Sequence, residues 1–211
     1  MDIATTRIAI IDFGMGNLRS VEKAFHKVGA LGAFVTDDVR KVAEADKAVL
    51  PGDGAFDSTM RSIERSGAAE TSLSFIASGK PFLGICVGMQ VLFTASEEGD
   101  EGVQGLNVIP GHVRRFKVEE GRKVPQIGWN NVTLDPRSAM AKGIHFENAM
   151  AYFLHSYYCL ADNLADVSAY TDYGLTYCSA AQRDNVWATQ FHPEKSGPIG
   201  LAILRNFASL S

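Results

Sequence analysis

The stretch Pro81-Phe82-Leu83-Gly84-Ile85-Cys86-Val87-Gly88-Met89-Gln90 constrains this chain more than any other. A short apolar run stops at a cysteine with glycine two residues before it and two residues after it. A helical pattern through Val87, Gln90, Val91, Phe93 and Thr94 begins at once. On so tight a strand-to-helix turn a side chain is pushed out of the backbone, and the glycines make room for the crowded main chain. This is a nucleophile elbow with Cys in place of Ser. The helix that follows aims its unpaired N–H groups and positive dipole end at the sulfur, which favours thiolate over thiol. Cys86 is therefore the candidate nucleophile, although a lone cysteine more often serves as a small buried hydrophobe.

Upstream of the elbow, strands and helices alternate. Arg7–Ile11 reads as a buried strand, Asp12–Asn17 as a glycine-rich turn, and Leu18, Val21, Phe25 and Val28 as one face of a helix. Ala48–Leu50 is a second strand, closed by Pro51-Gly52-Asp53-Gly54, and an amphipathic helix is expected over Phe56–Ala77. Such alternation argues for a parallel sheet covered on both faces.

After Ala95 the pattern changes. Glu97–Gly105 reads as an acidic, glycine-rich surface loop. Short β segments follow at His112–Val118, Lys123–Ile127, Tyr152–Cys159, Val167–Thr171, Leu175–Gln182 and Val186–Gln190. A last helix begins at Pro198, with Leu201, Leu204 and Phe207 on one face. The expected architecture is one α/β domain over residues 1–211 with an antiparallel, β-rich second half.

Bulk properties narrow the function. With 211 residues, 46% of them hydrophobic, the chain can bury one substantial core. A net charge of −4 points away from nucleic acid. The basic residues Arg114, Arg115, Lys117, Arg122 and Lys123 flank Glu119 and Glu120, as in a solvated hairpin. Cys86, Cys159 and Cys178 cannot all pair and lack metal-ligand spacing, so Cys159 and Cys178 are read as core residues. With no signal segment and no long apolar run, a soluble cytoplasmic protein away from membranes is expected.

A nucleophile needs a base. His26 falls on the polar face of the first helix, and His112 and His145 have no evident partner. His192 differs, because Thr189-Gln190-Phe191-His192-Pro193-Glu194 lies where a β segment gives way to a loop. In extended chain, residues two apart project to one side, so Glu194 can orient the His192 ring. Pro193 stiffens the backbone between them. Cys86, His192 and Glu194 then supply nucleophile, base and orienting acid.

These residues resemble the class I (triad) glutamine amidotransferases, which hydrolyse the glutamine amide and pass ammonia to a synthase. The likeness rests on Gly84–Gln90, Phe191–Glu194 and Pro51-Gly52-Asp53-Gly54-Ala55-Phe56, in the family's order. Within the family, Asp12–Asn17, Gly52–Phe56, Pro125-Gln126-Ile127-Gly128-Trp129-Asn130 and His155-Ser156-Tyr157 are similar to the glutaminase subunits of imidazole glycerol phosphate synthase. Gln126 stands where a histidine is common, and Asp53 where an apolar residue is common.

The resemblance implies a flavodoxin-like mixed, largely parallel sheet flanked by helices. It implies glutamine as substrate, no cofactor and no metal. The partner would be a separate cyclase subunit, a (β/α)8 barrel, joined in a heterodimer. Val87 N–H at the elbow and the Gly52, Asp53, Gly54 loop would hold the oxyanion. Gln90, one turn past Cys86, can bond substrate or act as a capping or core-edge residue. Ser156 and Tyr157 would contact substrate, and His155 is read as structural. Asn17, Trp129 and Asn130 would lie at the interface, with a buried core position the equal alternative for Trp129. A pyridoxal phosphate or purine-pathway glutaminase, a γ-glutamyl peptidase and an inactive scaffold subunit are the competing readings.

Overall fold

The computed structural model describes residues 2–99, 103–118, 123–144 and 149–210. His145, Glu119, Glu120 and Arg122 lie outside them. The parallel half consists of β1 (Ile8–Ile11), α1 (Leu18–Lys27), β2 (Ala33–Thr36), α2 (Val39–Glu44), β3 (Lys47–Gly52), α3 (Phe56–Arg65), α4 (Ala68–Ala77), β4 (Phe82–Cys86) and the one-turn helix α5 (Val87–Gln90). The rest comprises β5 (Phe93–Ser96), β6 (Ile109–Arg115), β7 (Gln126–Asn131), β8 (Thr133–Leu134), β9 (Met150–His155), β10 (Tyr157–Ala161), β11 (Val167–Asp172), β12 (Thr176–Arg183), β13 (Val186–Thr189) and α6 (Gly197–Ala208).

In the main sheet the strand order is β2-β1-β3-β4-β13-β12-β10-β6-β5, with β11 pairing β12 and β8. The first five strands run parallel. Strands β1, β3, β4 and β13 are buried along their whole length, as a sheet covered on both faces requires. Helices α1 and α6 pack together, joined by Phe25 against Phe207 with ring centroids 6.2 Å apart, while α2 and α3 pack on α4. Antiparallel β12 and β10 extend the sheet, and Cys159 faces Cys178 across them, both buried as expected. A separate two-stranded sheet, β7 with β9, stands beside it. No helix among the described residues is long and apolar enough to cross a membrane.

Four expectations are corrected. The helix over Phe56–Ala77 is two helices, because Gly67 takes φ +77° and ends α3 with its N–H on the Glu64 carbonyl. The elbow helix stops at Gln90, and Phe93 and Thr94 belong to β5, where Phe93 is in register with Ile109 of β6. Tyr152–Cys159 is not one strand: it breaks at Ser156, sending β9 and β10 into different sheets. Gly128-Trp129-Asn130 lies inside β7, which starts at Gln126 rather than Lys123. The pattern of residues also left β2, α2 and β8 unread.

Candidate active site

Strands β3 and β4 end side by side, with Gly52 in register with Cys86. The C-terminal edge of a parallel sheet is where an open α/β fold opens a crevice. Cys86 itself takes φ +56° and ψ −114°, a conformation rarely open to a side chain and costing on the order of 1–3 kcal/mol. Three glycines hold it there. A Cβ on Gly88 would strike the Leu50 carbonyl oxygen, one on Gly52 would strike the Gly88 nitrogen, and one on Gly84 would lie 2.5 Å from the Gly88 carbonyl oxygen. The elbow is thus backbone packed directly on backbone, which only glycine permits. Val87 N–H opens α5 and is among the first-turn donors that a helix cannot satisfy internally.

β13 delivers the histidine. It runs parallel to β4 and ends at Thr189, three residues before His192. His192 Nδ1 lies 2.9 Å from Glu194 Oε1, and both side chains are buried. Residues Pro193–Lys195 form a single 3-10 turn rather than extended chain, so the turn, and not strand alternation, brings Glu194 back onto the ring. Ser196 Oγ donates to the His192 carbonyl and accepts from Tyr152 N–H at 2.9 Å, tying this turn to β9. Nε2 is the ring nitrogen without a hydrogen-bond partner among the described residues. Burial disfavours a charged His192, but Cys86 and Glu194 beside it outweigh that and raise it to about 10. The proton therefore stays on the ring at neutral pH.

A cleft of about 220 Å³ opens over the sulfur. Asp53, Gly54, Val87, Gln90, Ser156 and Tyr157 line it, so the structure brings together nearly all the residues expected at an oxyanion and substrate site. Two details were not foreseen. Gly54 N–H is held by the adjacent Asp53 Oδ1 at 3.0 Å. Gln90 is buried, and its Nε2 donates to the Tyr157 carbonyl at 3.2 Å and to Gln190 Oε1 at 3.1 Å. His155 is buried and pushed by that burial to about 4, hence neutral; its Nδ1 donates to the Tyr157 carbonyl at 2.7 Å. Gln126 does not reach a surface: it accepts from Tyr177 Oη at 2.9 Å beneath His155.

Two further residues escaped the sequence reading. Glu98 lines the cleft, and its Oε2 accepts Phe56 N–H at 2.9 Å, capping α3 where Ala55 offers no side chain. Burial lifts the Glu98 carboxyl, against the Phe56 N–H that holds it down. Its signal was the acidic run Glu97-Glu98, which reads as plain surface loop. Gln190 is wholly buried, and its Nε2 lies 3.9 Å from Cys86 Sγ. It sits within the Gln190–Glu194 stretch yet has no charge to draw attention.

At the cleft mouth the small sheet turns an apolar face outward. Ile127 is opposite Leu154 and Trp129 opposite Tyr152, with Ile127 61% and Trp129 53% exposed. The core position considered for Trp129 is thus excluded. Asn130 points elsewhere, donating to the Asp172 carbonyl at 2.8 Å. Asn17 is exposed and caps α1 by accepting Ser20 N–H at 3.3 Å.

Residues 9–210 match the family described as glutamine amidotransferase class-I. The chain belongs to that family. It is 52% identical over 206 residues to the imidazole glycerol phosphate synthase subunit HisH of Geobacter metallireducens, covering 95% of this chain and 97% of that one. The protein of the same name from Methanothermobacter thermautotrophicus is 50% identical over 203 residues, 96% of this chain and 98% of its own. Among solved structures, a glutamine amidotransferase superposes with a TM-score of 0.70 at 17% identity, covering 96% and 99% of the two chains. The glutaminase domain of Trypanosoma brucei CTPS with bound acivicin gives 0.62 at 19%, covering 98% and 95%. The amidotransferase fold is shared even at those low identities.

Proposed function

We propose that this chain, as one amidotransferase domain over residues 1–211, is the cytoplasmic glutaminase subunit of an imidazole glycerol phosphate synthase. The observation that carries the reading is Cys86 on its glycine-packed elbow with the buried His192–Glu194 pair at the end of the neighbouring strand. Near-full-length identity of about half to proteins of that name supports the choice of synthase over a pyridoxal phosphate or purine partner.

In this mechanism the Cys86 thiolate attacks the glutamine γ-amide carbon while imidazolium stands ready on His192. His192 gives its proton to departing ammonia, and Glu194 holds the ring. The neutral imidazole then takes a proton from water as it attacks the glutamyl thioester, releasing glutamate and restoring the thiolate–imidazolium pair. Val87 N–H and a donor from the Gly52–Gly54 loop stabilise the oxyanion; one such donor is worth about 3 kcal/mol. Asp53 and Glu98 are the carboxylates lining the cleft, and the substrate α-ammonium group fits Glu98, the more enclosed of the two.

Ammonia passes to a (β/α)8 cyclase subunit docked as a heterodimer on the face bearing the exposed Ile127, Trp129 and Leu154, with the exposed Asn17 a further contact. Docking completes the oxyanion loop around Asp53, whose carboxylate holds Gly54 N–H in the free chain. The test is glutamate formation by the complex with the cyclase, alongside labelling by a glutamine-mimicking chloroketone. A label on the Cys86 peptide, and its loss together with turnover in Cys86→Ala, is the expected result. Turnover surviving in Cys86→Ala would overturn Cys86 as nucleophile, and a complex that is neither labelled nor active would overturn the reading in favour of a scaffold role.

A further inference from the structure

Resting on the reading of Cys86 as nucleophile, we propose that Gln190 is a positioning residue whose side-chain N–H donates to the Cys86 sulfur from the buried side, opposite the substrate. Its amide orientation follows from the groups around it. The Tyr157 carbonyl can only accept, so the Gln90 atom 3.2 Å from it is the nitrogen. That same nitrogen lies 3.1 Å from Gln190, which must present its oxygen there. The Cys159 thiol, 3.9 Å from the same oxygen, is kept protonated by burial and is a second donor to it. Gln190 Nε2 is thereby turned toward Cys86 Sγ, 3.9 Å away. His155 Nδ1–H fills the other lone pair of the Tyr157 carbonyl, so the anchor of this relay is fully occupied.

The relay acts on sulfur in one direction. An amide N–H gains strength when its acceptor becomes an anion. In the neutral thiol the proton has the Leu154 carbonyl as an acceptor 4.0 Å away, and in the thiolate only the sulfur's acceptor side is used. Gln190 therefore stabilises thiolate relative to thiol and fixes its direction toward His192. It also explains why Gln90 is buried and committed to protein groups. The titratable groups around the sulfur are His192 with Glu194 behind it and Cys159, and those lining the cleft are His155, Tyr157, Asp53 and Glu98. Of these, Cys159 touches Gln190, and burial holds its thiol protonated, so a change in the Cys86 titration reports the lost donor.

The experiment compares the parent with Gln190→Met, which keeps the volume and removes the donor, and Gln190→Glu, which replaces the amide with a carboxylate. Iodoacetamide alkylation of Cys86 is followed against pH in the full chain, and kcat and KM for glutamine are measured in the cyclase complex. Gln190→Met is expected to move the alkylation midpoint up by about one pH unit and lower kcat about tenfold with little change in KM. Gln190→Glu should move the midpoint further. A parent-like midpoint in Gln190→Met overturns the proposal, whether or not kcat falls, because a merely structural defect would leave the midpoint in place. Should Gln190→Met fail to fold, Gln90→Met releases the same amide from its other end, and an unmoved midpoint there is equally fatal. Cys86→Ala separates the two levels: if it still releases ammonia, the nucleophile reading itself falls, whereas an inactive Cys86→Ala beside a parent-like Gln190→Met removes only the role of Gln190.

Discussion

The two walls of the cleft are built in opposite ways. On the β3–β4 side the main chain touches main chain, Gly52, Gly84 and Gly88 exclude side chains altogether, and Cys86 is held in a strained conformation. On the β7–β9 side, large apolar side chains stand outward: Ile127, Trp129 and Leu154 are all exposed. A geometry needed at every turnover is fixed by atoms that cannot move without breaking the sheet. An exposed apolar face, by contrast, carries its information in side chains that can repack.

Replacing Gly88 attacks the rigid wall where it is tightest. Gly88→Ala drives a Cβ into the Leu50 carbonyl, and overpacking against backbone has no side chain to yield. A loss of about 3 kcal/mol or more in denaturant unfolding, with activity abolished, is expected. Near-parent stability would mean that the elbow is softer than its packing implies. Glu194→Gln leaves the fold and keeps an oxygen for the ring, but removes the charge 2.9 Å from His192. By the logic of orienting carboxylates, kcat should fall by about 10³-fold with stability little changed.

On the open wall the balance is reversed. Trp129→Ala should shift the stability of the isolated chain by no more than about 0.5 kcal/mol. The same change should weaken barrel binding by about 2 kcal/mol, near 30-fold in Kd, read by titration calorimetry. A large stability loss with unchanged binding would erase the distinction between the walls. The smallest effect concerns pH. His192 is raised to about 10 by Cys86 and Glu194 in the face of burial. Its contribution to stability is therefore whole below the unfolded histidine value of about 6.5 and is lost as pH climbs toward 10. The difference in thermal midpoint between parent and His192→Gln should shrink across that window; a gap that widens with pH would reverse the assignment.

The same contrast explains what the residues revealed in advance. Gly84-x-Cys86-x-Gly88 is local, and its packing follows from backbone geometry alone, so the elbow, the parallel strands around it and the histidine with its acid were legible. Elements decided by distant chain were not. Val91, Leu92 and Phe93 are apolar on every side, which suits a helix or a strand equally; the chain turns into β5 because Leu106 N–H bonds the Val91 carbonyl and Val108 N–H bonds that of Leu92. The break at Ser156 is invisible because β9 and β10 are both strand-like, and only their different partners part them. Gly67 did carry a signal, an isolated glycine inside a helical pattern, which the amphipathic spacing on either side concealed. Glu98 and Gln190 depend on long-range contacts with Phe56 and Cys86, and no spacing announces those.

The central claim is that chemistry fixed on one wall is released by a partner on the other. Ammonia release from glutamine by this chain, alone and with a cyclase barrel carrying its ligand, tests it most directly. A low rate alone and a large rise with the liganded barrel is the expected result. A free chain already running at the rate of the complex would contradict partner gating, and no ammonia in either state would contradict the glutaminase itself.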